Sequence, residues 1–65
     1  MNINSSKVEI ILAERGMTKA SLADSCGISR QSLSAIMKRG TCEPRTAGKL
    51  AVGLGIPVEE IRKEA

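Results

Sequence analysis

The chain predicts an all-α fold, a compact bundle of five short helices. Three observations carry this. Apolar residues recur at spacings of three and four, and no stretch alternates apolar and polar as a half-buried strand would. Helix-start residues and glycines punctuate the chain at short, regular intervals. Finally, there is no Phe, Tyr or Trp in the 65 residues, so the core must come from Ile, Leu, Val, Met and Ala, which suits thin helix packing and disfavours a sandwich. A chain of this length makes one domain, here residues 1–65, and buries only roughly 60% of the surface its unfolded form exposes. Help from a second subunit is therefore plausible.

Met1 to Asn4 reads as a polar end, frayed or loosely packed. Ser6-x-x-Glu9 has the form of a capping box, which starts a first helix at about Lys7. Val8, Ile11 and Leu12 give that helix its apolar face, and Gly16 stops it. Thr18 caps a second helix over about Lys19–Cys26. Ser29 caps a third, from Arg30 to Lys38 or Arg39, and Gly40 ends it. After a short loop, Pro44 suits the first turn of a fourth helix beginning between Pro44 and Thr46. That helix carries Ala47, Leu50, Ala51 and Leu54 inward; Gly48 and Gly53 weaken it, and Gly48 suggests a close helix crossing. Gly55 ends it. Pro57 opens a fifth helix with Val58 and Ile61 as its apolar face, and the charges from Glu59 to Glu64 read as solvated surface. No internal repeat or linker is present.

The stretch Lys19–Lys38 organises the rest. Ala23 is small enough to let the next helix cross closely, Gly27 can take the positive φ that reverses the chain, and Leu33 and Ile36 share a face. This is helix-turn-helix spacing, formed by the second and third helices. Charge is placed accordingly. The net charge is +3 and the sequence pI about 9.2. From Ser29 to Lys49, Arg30, Lys38, Arg39, Arg45 and Lys49 face only Glu43, a local +4 that leaves −1 for the remainder. A polyanion would meet one basic face, although an ordinary solvated face has the same composition.

The segments ILAERGMTKASLA, CGISRQSLSAIMKRG and TAGKLAVGLGIPVEEI resemble the lambda-repressor-like DNA-binding domains, the Cro and xenobiotic-response-element group. The resemblance spans about Val8 to Ile61. The chain departs from the family's usual pattern at Lys19, where Gln is frequent, at Met37, where Glu is common, and in a shorter loop from Gly40 to Thr46. The resemblance implies a sequence-specific double-stranded DNA-binding transcriptional regulator, often a repressor of phage, mobile-element or toxin–antitoxin type.

Such recognition needs base contacts and phosphate contacts. Ser29, Arg30, Gln31 and Ser32 front the third helix, where base edges are read; Arg30 suits guanine and Gln31 adenine. Ser34 and Ala35 lie one turn on, and Ala35 can touch a thymine methyl. Ser29 also serves as a plain helix cap. Lys19 stands at the second helix's positive end, against the dipole; family members bind a phosphate there, which explains the placement better than the alternative of a plain surface lysine. Lys38, Arg39, Thr41 and Arg45 form a second phosphate clamp.

There is no His, no Gly-rich phosphate loop and no carboxylate pair on a cleft, so no enzyme is expected. Nor is a metal, a cofactor or a small-molecule ligand. Cys26 reads as a small buried hydrophobe and Cys42 as an exposed free thiol in a loop. No run approaches the ~20 residues of a membrane helix and no signal peptide is evident, which points to the cytoplasm. The competing reading is a protein-interaction module that keeps the fold without using it on DNA. A homodimer is expected through the fourth and fifth helices, with Leu54, Ile56, Val58 and Ile61 as its apolar material.

Overall fold

The first helix, α1 (Ser5–Arg15), starts two residues earlier than the Lys7 start that the Ser6–Glu9 pattern suggests. In the computed structural model, which describes residues 1–63, the cap is Asn4: its Oδ1 accepts the Lys7 N–H at 3.1 Å. The reason is tertiary. The Asn4 N–H is held by the Ile61 carbonyl at 2.7 Å, which fixes Asn4 in extended conformation and leaves Ser6 inside the helix.

Residues 1–4 are not frayed. Ile3 donates to the Gly40 carbonyl at 2.8 Å, Cys42 donates to that of Met1 at 3.0 Å, and Lys63 donates to that of Asn2 at 2.9 Å. The arm is thus paired with the loop after the third helix on one side and with the 61–63 segment on the other, through isolated bridges rather than strands. Ile3 is 2% exposed and belongs to the core. Burying one isoleucine contributes about 1.5–3 kcal/mol, which together with these backbone bonds helps offset the entropy of ordering the arm.

Helix α2 (Lys19–Cys26) has a reciprocal cap. The Thr18 hydroxyl accepts the Ser21 N–H at 3.1 Å, and the Ser21 hydroxyl accepts the Thr18 N–H at 3.0 Å. At its end Gly27 takes φ 71°. There the Ile28 N–H returns to the Ala23 carbonyl at 3.1 Å, closing the last turn. Helix α3 (Arg30–Arg39) follows at once, and α4 (Pro44–Leu54) starts at Pro44, where a missing N–H is harmless.

Leu22, Ala23, Leu33, Leu50, Leu54 and Ile61 are buried with Val8 and Leu12 in one cluster. Helix α2 packs on both α3 and α4. The expected inward residues of α4 are all buried. The close crossing is made by Gly53 rather than Gly48. A Cβ on Gly53 would meet the Cys26 sulfur and the Leu22 side chain, whereas one on Gly48 would enter open space.

The expected fifth helix is only a 3₁₀ turn, Val58–Glu60. It cannot lengthen, because Ile61 and Lys63 leave it to pair with the arm. The molecule therefore has four α-helices, and no strand among the described residues. Within the expected solvated run, Glu59, Glu60, Arg62 and Lys63 are exposed, and Glu64 lies outside the described residues. Leu54 and Ile61, expected to supply a subunit interface, are instead fully buried in the chain's own core, while Ile56 and Val58 are half-buried. Cys26 is buried as expected; Cys42 is half-buried rather than a fully exposed loop thiol. No helix among the described residues is long and apolar enough to cross a membrane.

Candidate nucleic-acid interface

Helix α3 is anchored on one side and open on the other. Leu33 and Ile36 are buried and Met37 half-buried. Helical periodicity then turns Gln31, Ala35 and Lys38 directly away from the core, with Ser34 beside them and Arg30 and Arg39 on the flanks. All are exposed except Ala35, which is half-buried. At the front, Ser29 caps the helix. Its Oγ accepts the Ser32 N–H at 3.0 Å and donates to the Ser32 Oγ at 2.8 Å. Both hydroxyls are thus engaged with each other, and each keeps acceptor capacity outward.

Two grooves flank the far end of this helix. One is lined by Gln31, Ser32, Ala35 and Arg39 from α3 and by Thr41 and Glu43 from the loop. The second is lined by Lys38, Arg39 and Thr41 together with Asn2, Ser6 and Lys63. Arg39 and Thr41 border both. The Ser5 hydroxyl, donating to the Met37 carbonyl at 2.8 Å, ties the start of α1 to this end. Cys42 also lines the first groove. Burial pushes its thiol up; the Met1 ammonium opposes this and Glu43 adds to it.

Two expected contacts stand apart. Lys19, the first residue of α2, is exposed, and its Nζ lies 3.1 Å from Glu9 Oε1. Its position against the helix dipole therefore has an internal partner. Arg45 is exposed on the first turn of α4, where it lines a separate apolar trough with Ser25, Cys26 and Val52. It is not gathered with Lys38, Arg39 and Thr41.

The arrangement is a helix with one exposed polar face and cations at its far end. A family model described as helix-turn-helix matches residues 8–61, most of the chain. The chain belongs to the helix-turn-helix family. Its type is the lambda-repressor-like one that the sequence segments resemble, a DNA-binding family. No curated protein and no solved structure matches the chain.

For this helix-turn-helix protein, sequence reading missed Asn2, Ser6 and Lys63, which border the second groove from outside α3. Asn2 and Lys63 sit in segments that read as frayed or solvated, and Ser6 reads as a helix cap alone. The only signal was Ile3, a lone apolar residue among polar neighbours, and a single residue has no periodicity to reveal a paired arm.

Proposed function

We propose that the chain is a sequence-specific double-stranded DNA-binding transcriptional regulator, a single domain in which α2, the turn at 27–29 and α3 form the reading unit over about residues 19–38. The observation that carries this is the exposed Gln31, Ser34, Ala35 and Lys38 face of α3, opposite its buried Leu33 and Ile36, in a chain of a DNA-binding family. An α-helix fits the major groove, where Gln31 suits adenine and Ala35 a thymine methyl. Arg30, at the front flank, suits guanine or the adjacent backbone. Ser29, Ser32, Lys38, Arg39 and Thr41 serve phosphates, and Lys19 does so by exchanging Glu9 for the backbone.

For the sense of regulation we assign repression by occupancy, as the lambda-repressor-like resemblance implies. A second copy supplies enough contacts for a unique site, with half-sites about one helical turn apart. The apolar surface left for that contact is Val52 with the half-buried Ile56 and Val58. Selection of bound sequences from a random duplex library tests the proposal. A single enriched motif, bound more weakly as salt rises, supports it. Recovery of no motif, with salt-independent retention, overturns it in favour of an interaction module.

A further inference from the structure

We propose that Lys63 is a DNA-backbone ligand, so that the interface runs from α3 across the 40–42 loop and the N-terminal arm to the 61–63 segment. The inference rests on the DNA-binding reading and extends it to a residue outside the reading unit. Backbone pairing puts Lys63 there. Its N–H is bonded to the Asn2 carbonyl, and Asn2 is bridged on its other side to Thr41. Three cations, Lys38, Arg39 and Lys63, consequently line one groove, and no Asp or Glu is among the described residues that border it.

Three like charges lining one groove favour a polyanion as its occupant. Arg39 and Thr41 also border the groove lined by Gln31 and Ala35, so the two grooves adjoin the same end of α3. A duplex strand laid along α3 presents a phosphate every ~3.4 Å of axis and would pass these cations in succession. The ammonium of Lys63 is a compact charge with three donors, suited to a phosphodiester oxygen.

The test is fluorescence anisotropy of a labelled mixed-sequence duplex over a salt series, which needs no operator. Lys63→Gln should weaken binding at low salt and lower the slope of log K against log salt by about one. Lys63→Arg should keep the slope. Arg15→Gln, at the opposite end of α1, should leave it alone. Because Lys63 and Arg15 are both exposed, melting of all three variants should match the parent chain. A parent slope in Lys63→Gln, alongside a reduced slope in Arg39→Gln, overturns the Lys63 assignment alone. An equal drop in Arg15→Gln overturns it as well, since only overall charge would then matter. Absence of any salt-dependent binding by the parent chain overturns both this inference and the DNA-binding reading.

Discussion

A Cβ placed on Gly53 would stand 2.6 Å from the sulfur of Cys26 and 3.2 Å from the Leu22 side chain. Helices α2 and α4 thus touch where one has no side chain and the other has a small one. Gly53→Ala should destabilise by about 1–3 kcal/mol through overpacking, although Ala is the better helix former. Gly48→Ala, five residues earlier on the same helix, meets nothing within 4 Å and should stabilise by about 0.5–1 kcal/mol. Denaturant melts of the two variants decide it; equal effects would mean that the crossing is not at Gly53.

Ile3 tests the arm. As a core residue it should lose about 2–5 kcal/mol on replacement by Ala, a large share of a small domain's stability. Thermal unfolding followed by circular dichroism measures this. A melt unchanged from the parent chain would show the arm to be free in solution.

Gln31 is expected to read a base. Gln31→Ala should lose about 1–3 kcal/mol on the selected operator and little on random duplex. Titrations on both DNAs separate the two, and a loss of the same size on each would assign Gln31 to the backbone.

Glu9 and phosphate compete for Lys19. The ion pair is exposed, with roughly half of each side chain open to water, so its own stabilisation is no more than about 1 kcal/mol. Glu9→Gln frees the ammonium and removes a repulsive carboxylate. It should tighten binding to operator and random DNA alike, with little change in melting. Unchanged affinity in a binding titration would place Lys19 away from the backbone.

Assembly is checked by sedimentation of the free protein at micromolar concentration. Val52 is 81% exposed, and Val52→Asp should move a dimer toward monomer, because a buried charge would be unpaired. A parent chain that is monomeric, and that binds an isolated half-site as tightly as a palindrome, is incompatible with a dimer.

Much of the fold was legible in the sequence because its signals are local. Thr18 and Ser29 cap the helices they precede, Gly27 and Gly55 end theirs with positive φ, and the buried set of α4 follows its spacing. These depend on residues within about one turn of each other, where backbone conformation and side-chain periodicity decide the outcome. The exposed face of α3 follows from the same rule, since burying Leu33 and Ile36 leaves Gln31 and Lys38 outside. What only the tertiary structure decided involves partners far apart in the chain. The Ile61 carbonyl selected Asn4 rather than Ser6 as the α1 cap, and pairing with the arm cut the fifth helix to one 3₁₀ turn. Cys26 made Gly53, not Gly48, the crossing point, and Glu9 gave Lys19 a partner. Lys63 joined Lys38 and Arg39 in one groove through a backbone bond to Asn2, 61 positions away in number but adjacent in space. No local pattern encodes such pairings, because their energy comes from surfaces that meet only once the core has closed.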